Sequence, residues 1–250
     1  MNIRAIRIIW VREILVQLRD RAGLISSVAR SLVWLLMMGG GFGAARFAGL
    51  TVDYQAFILP GIVAMSLQFT SIRSGISVIW DREFGFMKEI LVSPASRFSI
   101  MAGKVLGGVT VSLGESAIIL ALGPFLGVHL TVVSFAESIA IMALISATLV
   151  SMGLVVSAFL KTFEGFQTIM TFIIMPMFFL SGALFPLDGI PSWMVPFTVL
   201  NPLTYAVDAL RIVLIGVGNG HLSLEGDLLV LLCALAVTMA LGTGAFKKSE

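Results

Sequence analysis

Charge is what this 250-residue chain has least of: Asp, Glu, Lys and Arg make up 12% of it, against 58% hydrophobic residues. A soluble domain gives about a quarter of its residues to charge, so a water-surrounded globule is excluded and an integral membrane protein is expected. Cys233 is the only cysteine, which rules out an intrachain disulfide and argues against redox chemistry. His129 and His221 stand far apart with no Cys, Asp or Glu cluster beside either, so they are poor metal candidates. No Gly-x-x-x-x-Gly-Lys-Ser/Thr phosphate loop occurs, nor a His-Glu-x-x-His or Gly-x-Ser-x-Gly motif. Nothing in the chain argues for an enzyme, and any energy source must lie on another chain or in an ion gradient. The net charge of +2 is spread between apolar runs and forms no single basic patch, so no nucleic-acid partner is expected.

What is present is a series of six long apolar runs, roughly 22–45, 54–79, 105–128, 138–160, 165–187 and 228–246. Each has about the 20 residues a helix needs to cross the hydrocarbon core. None shows the alternation of a membrane β-strand, and lipid requires backbone groups to be paired within the segment. The last three runs hold no charged residue at all; the first carries Arg30, the second Arg73 and the third Glu115. With six spans, 14 of the 16 basic residues fall on one side, leaving Arg46 and Arg211 on the other. The positive-inside rule makes the majority side cytoplasmic and places both termini there. No internal repeat or linker stands out, so residues 1–250 read as one domain.

The first 21 residues do not resemble a cleavable signal. Ile3, Ile6, Trp10, Ile14 and Leu18 recur at helical spacing among Arg4, Arg7, Arg12 and Arg19. An amphipathic helix at the cytoplasmic interface and a helix packed on another protein domain are both compatible with that pattern. Residues 81–94, Asp81-Arg82-Glu83-Phe84-Gly85-Phe86-Met87-Lys88-Glu89-Ile90-Leu91-Val92-Ser93-Pro94, mix both charge signs with large apolar groups. They read as a short amphipathic helix ended by Pro94, either interfacial or docked on a partner; the interleaved acids favour a protein surface over lipid headgroups.

Between the fifth and sixth runs, Pro186, Pro191, Pro196 and Pro202 break an apolar segment too greasy for a solvated loop. Two short re-entrant or interfacial helices over 186–204 fit it, and so does a surface loop anchored by Trp193. Glu115, in the middle of an apolar run, should face the bundle interior, either hydrogen-bonded to a neighbouring helix or touching cargo or protons. Arg73 lies about two turns from Trp80, near enough to snorkel to the interface. Ser66, Ser71, Ser74 and Ser77 read as packing or backbone-bonding residues rather than nucleophiles.

Two stretches resemble the ABC-2-type permease family, and in particular its daunorubicin-resistance-like drug-efflux members. One runs from Asp81-Arg82-Glu83 to Ser93-Pro94-Ala95-Ser96-Arg97; the other joins Leu180-Ser181-Gly182 through Phe185-Pro186-Leu187 to Leu200-Asn201-Pro202-Leu203-Thr204-Tyr205-Ala206-Val207-Asp208-Ala209-Leu210-Arg211. The resemblance implies an all-α polytopic membrane protein with six transmembrane helices, an N-terminal connecting helix over 1–21 and outer re-entrant helices over 186–204. It implies a half-transporter that pairs with a second copy and with two cytoplasmic ATPase subunits carrying ATP and Mg, in the cytoplasmic membrane of a prokaryote. By the same resemblance 81–94 is the coupling helix, with Arg82, Glu83, Phe86, Met87, Lys88 and Glu89 docking the ATPase. The turn at 161–165, with Lys161 and Glu164, would add a lesser contact.

By the same resemblance spans two and five would line the path, with Gln68 and Met175 from them and Glu115 from span three as path residues, and Phe178, Phe179, Leu180 and Leu184 as an apolar gate. A Met-, Phe- and Leu-lined path suits hydrophobic or amphipathic cargo, drug-like or lipid-like, though Met170, Met175 and Met177 also fit ordinary helix packing. The alternatives are a lipo-oligosaccharide exporter of the same family, or an ion-coupled carrier using Glu115.

Overall fold

The structure is a computed structural model that describes residues 2–42, 52–85, 95–160, 162–187, 190–216, 218 and 222–248. It is helical throughout, with no strand among the described residues: α1 Ile3–Arg19, α2 Arg21–Phe42, α3 Tyr54–Glu83, α4 Arg97–Leu120, α5 Val132–Phe159, α6 Phe163–Phe179, α7 Val195–Leu200, α8 Pro202–Ile215 and α9 Leu224–Lys248, with a 3₁₀ turn at Gly123–Leu126. Five of them, α2, α3, α4, α5 and α9, are long and apolar enough to cross a bilayer. The expected fifth span is shorter than its hydropathy suggests. α6 has 17 residues, or about 25 Å at 1.5 Å per residue, and the chain then turns at Gly182, whose φ is 75°.

Caps rather than hydropathy set the helix limits. Ser96 accepts from the Ser99 N–H at 3.2 Å, so α4 begins eight residues before the expected span, and Pro124 in the following turn ends it earlier. Thr131 and Ser134 form a reciprocal capping box, which brings α5 forward to Val132 through the polar Ser134 and Glu137. α3 runs four residues past the expected end of its span, so Asp81, Arg82 and Glu83 are its last turn and not the start of a separate helix. Gly85, at φ 79°, closes it. The remainder of the expected coupling segment, with Phe86, Met87, Lys88 and Glu89, lies outside the described residues, as does Lys161.

Between Leu187 and α8 the prolines do break the chain, into α7 and then, after Asn201, α8. The second of these extends well beyond residue 204, to Ile215, because Asn201 caps it by accepting from the Leu203 N–H at 3.0 Å and Pro202 occupies its first position.

α3 is the axis, with α2, α4, α5, α6 and α8 packed around it, and most of its apolar length is buried. Its interior is rich in small polar side chains: Ser66, Ser71, Ser74 and Ser77 are buried, together with Ser112, Ser116 and Ser146 on α4 and α5. The outward faces are apolar instead, for example Leu36 and Met37 on α2, Phe172 on α6, and Leu229 and Val237 on α9. Small polar groups inside and large apolar groups outside are the arrangement lipid imposes, because helices there associate by close packing and interhelical hydrogen bonds. The chain is a multi-pass membrane protein.

α1 packs along α4 by a different face from the one its apolar periodicity suggests. Ile9, Glu13 and Gln17 are buried, whereas Ile3 and Leu18 are exposed. The reason is on α4: a methyl on Gly103 would lie 2.8 Å from Ile9 Cβ, and one on Gly107 would overlap Glu13 Cβ. Two glycines a turn apart give α1 a groove, and Trp10 secures it by donating from Nε1 to Thr110 Oγ1 at 2.9 Å.

Candidate functional site

The end of α3 that bears Asp81 and Arg82 is fastened on two sides. Lys104 on α4 is 1% exposed, and its ammonium donates to Glu13 Oε1 and Asp81 Oδ2, both at 2.7 Å, and to Ser77 Oγ at 3.2 Å. Arg12 on α1 donates to Asp81 through both terminal nitrogens and to Glu13 Oε1 at 3.0 Å. The hydrogen bond to the Asp81 carboxylate holds the Arg12 guanidinium above its usual pKa. Two acids and two bases from α1, α3 and α4 thus form one alternating cluster with charges matched. Reading Lys104 and Arg12 as cations of a loop and an interfacial helix missed it. The available signal was Glu13, a lone acid on an otherwise basic helix.

One residue further on, Arg82 donates to the Leu160 carbonyl at 2.8 Å, with a longer contact to that of Ala158 at 3.5 Å. A cation at the C-terminus of α5 meets its unpaired carbonyls and the negative end of its dipole. Trp80 stacks on Phe163, centroids 6.4 Å apart and planes inclined 17°, which brings the tip of α3 beside the start of α6. Of the expected docking residues, Arg82 is therefore half-buried and turned into the bundle. Glu83 and Glu164 are exposed at this same end, with Phe84, 73% exposed, between bundle and solvent.

The expected path residues do not form one surface. Gln68 is buried; its Nε2 donates to the Ile174 carbonyl at 3.5 Å and its Oε1 has no partner. Phe178 and Leu184 are core residues, Phe178 edge-on to Trp34 at 6.2 Å and Leu184 accepting from Tyr54 Oη at 3.0 Å through its carbonyl. Met175 and Phe179 lie on the exposed side of α6, and Leu180 is half-buried at its end. Glu115 faces inward as expected and is fully engaged, accepting from Arg73, Ser27 and Thr70. Arg73 therefore turns to α4 instead of snorkelling.

Glu115 also borders a cavity of about 670 Å³ between α1, α2 and α4, otherwise walled by aliphatic groups such as Ile14, Leu24, Val28 and Ile118. Glu115→Gln is expected to lower the unfolding free energy by about 1.5–3 kcal/mol, the worth of a hydrogen bond to a charged group. Thermal unfolding in mild detergent checks it. An unchanged melt combined with lost transport would make Glu115 a proton carrier instead of a strut.

The two pieces of the second sequence motif fold onto each other. Asn201 Nδ2 donates to the Met177 carbonyl at 2.7 Å, and Arg211 Nη2 to that of Gly182, also at 2.7 Å. Arg211 has no exposed surface; its guanidinium lies 3.9 Å over the Phe57 ring. Counted from sequence as a cation on the outer side, it is instead a buried clamp between the 180–187 turn, α8 and α3.

A family model described as ABC-2 type transporter matches residues 4–215. The transport permease ycf38 of Cyanophora paradoxa is 32% identical over 208 residues, covering 81% of this chain and 72% of its own. The inner membrane transport permease YadH of Escherichia coli K12 is 27% identical over 218 residues, covering 86% and 84%. YbhR of the same strain, described as a multidrug ABC transporter permease, is 30% identical over 163 residues, covering 63% of this chain and 43% of its own length. With a match across all but the last of its membrane-length helices, the chain belongs to the ABC-2 type transporter membrane family and is a transport permease.

Proposed function

We propose that the chain is the membrane subunit of an ATP-driven exporter of hydrophobic or amphipathic molecules, working with a separate cytoplasmic ATPase that binds ATP and Mg. In this reading α6 completes six spans, both termini face the cytoplasm of a prokaryotic cell, and a second copy supplies the other half of the path. The apolar outer faces of α2, α6 and α9 are available to that copy and to lipid. The name of YbhR supports drug-like cargo, and the aliphatic walls of the 670 Å³ cavity suit a greasy molecule.

The observation that carries the reading is the fastening of the α3 tip. A force applied at Glu83 is passed to Asp81 and Arg82, and through them to α1, α4 and α5 together. Closure of two ATPase subunits on nucleotide would then be passed to the bundle as a rigid displacement instead of being absorbed by a loose loop. Net export further requires that cargo affinity differ between the inward- and outward-facing states. Glu115 does not favour an ion-coupled carrier, since both its oxygens are taken by fixed donors.

Purification of the complex in mild detergent tests the docking. Glu83 is exposed and makes no ion pair among the described residues, so Glu83→Arg should leave the permease folded. It is expected to reduce co-purified ATPase by about tenfold, as loss and inversion of an interface charge does. Undiminished ATPase in the variant would move the docking site elsewhere.

A further inference from the structure

Between α7, α8 and the first turn of α9 lies a second cavity, of about 210 Å³, walled by Thr198, Thr204, Tyr205, Asp208, Leu222 and Asp227. Asp227 has no exposed surface, and neither of its carboxylate oxygens has a hydrogen-bond partner. Buried polar groups are nearly always partnered, and an ionised carboxylate left alone in an apolar setting is costly enough to demand a proton or a counter-ion. Asp208, 2% exposed, adds a second carboxylate to the same wall.

The hydroxyls around the cavity have spent their hydrogens elsewhere. Tyr205 donates to the Val199 carbonyl at 2.7 Å, Thr198 to that of Val195 at 2.8 Å, and Thr204 to that of Leu180 at 3.4 Å. Each therefore offers an occupant only oxygen lone pairs. Arg211, one turn beyond Asp208, sends Nη2 to the Gly182 carbonyl and its face to Phe57, and it attracts the Asp208 carboxylate electrostatically. The unpartnered group on this acceptor-rich lining is therefore Asp227, and an occupant that is both a donor and positive matches it.

Calcium takes six to eight oxygens, and no group of three or more His, Cys, Asp or Glu is assembled for a metal among the described residues. Leu222 and Val199 give the cavity an apolar side that an inorganic ion would not use. A primary ammonium has three donors, and carried on a hydrocarbon stem it uses both sides.

We propose that this cavity binds the primary ammonium group of an amphipathic amine, with Asp227 as its counter-ion. As a statement about cargo this rests on the exporter reading; as a binding site it does not. Two sources share the chemistry, a diffusible alkylamine and the headgroup of an aminophospholipid.

The test is calorimetric titration of the full chain in phosphatidylcholine nanodiscs, without ATPase, using hexylamine hydrochloride and hexanol. Hexylamine is expected to bind saturably and about tenfold or more tighter than hexanol. Asp227→Asn should erase that preference while keeping or raising the unfolding temperature, because it removes an unpaired charge. Asp227→Glu, which keeps the charge, should stay within about threefold of the original amine affinity. Equal affinity for amine and alcohol, or a preference that survives Asp227→Asn, overturns the site. Calcium chloride displacing hexylamine at lower concentration than hexylamine itself requires overturns the amine in favour of an inorganic ion. Weaker hexylamine binding in discs containing phosphatidylethanolamine assigns the site to the lipid headgroup, and unchanged binding assigns it to a diffusible amine. None of these outcomes depends on nucleotide, so failure here leaves the exporter reading standing.

Discussion

Lys104→Met is expected to destabilise the protein by about 3–5 kcal/mol, the cost of removing one partner from a buried ion pair. The ammonium is 1% exposed and holds two carboxylates, Glu13 on α1 and Asp81 on α3, at 2.7 Å each. Methionine fills the same volume, so the loss is electrostatic and not a cavity. Glu13 and Asp81 would then face each other across the α1–α3 junction with only Arg12, on the outer side of the cluster, to offset them. Adding Glu13→Gln and Asp81→Asn to Lys104→Met should recover much of the loss, since an uncharged cluster is often no less stable than a buried pair. Chemical unfolding of the three forms in detergent separates these contributions. A shift below about 1 kcal/mol in the single variant would mean that water reaches Lys104 and that the cluster is an exposed pair of ordinary strength.

Gly61→Ala should cost about 1–3 kcal/mol or more, the range for forcing an extra carbon into a packed core. An added methyl would overlap the Ala183 carbonyl oxygen and sit 2.8 Å from its carbonyl carbon. Those atoms are backbone, in the turn that Arg211 and Thr204 hold from α8, and cannot swing aside as a side chain would. The matched control is Gly114→Ala on α4, where a methyl meets nothing within 4 Å. There helix propensity alone acts, and the substitution should be neutral or stabilising by up to about 1 kcal/mol. Melting temperatures of the pair in one detergent give the comparison, and equal shifts would contradict the close approach of the 180–187 turn to α3.

What could be read without coordinates was the part governed by hydropathy and by single strong signals. The start of α3 at Tyr54, the helical class and the inward aim of Glu115 are of that kind. Helix ends were less legible because caps override hydropathy, as Ser96 and Thr131 do when they begin α4 and α5 among polar residues. The face that α1 turns to α4 was not legible in apolar spacing: Ile9, Glu13 and Gln17 are buried, while Ile3 and Leu18 at the ends of the apolar stripe are exposed. What faces α4 is chosen by Gly103 and Gly107, whose effect depends on a partner helix that periodicity cannot see.

The charge tally had a similar limit. It assigns each Lys and Arg to a side of the membrane, yet Lys104 and Arg211 carry their charge inside the protein, met by Asp81 and Glu13 in one case and by the Gly182 carbonyl, the Phe57 ring and the nearby Asp208 in the other. The motif that begins at Asp81 was visible in the sequence, but what holds its first residues was not. Asp81 and Arg82 reach three other helices, through partners far away in the sequence.

In the proposed mechanism α3 transmits an ATPase stroke from its Glu83 end to the bundle. The most direct measurement is accumulation of an amphipathic dye in vesicles reconstituted with the permease and its ATPase, in ATP and Mg, with Lys104→Met, Glu13→Gln, Asp81→Asn run alongside the unaltered chain. ATP-dependent accumulation is expected of the unaltered pair, none of the permease alone, and, of the uncharged-cluster variant, ATP hydrolysis without accumulation. Accumulation by the permease alone with no nucleotide present would contradict the mechanism.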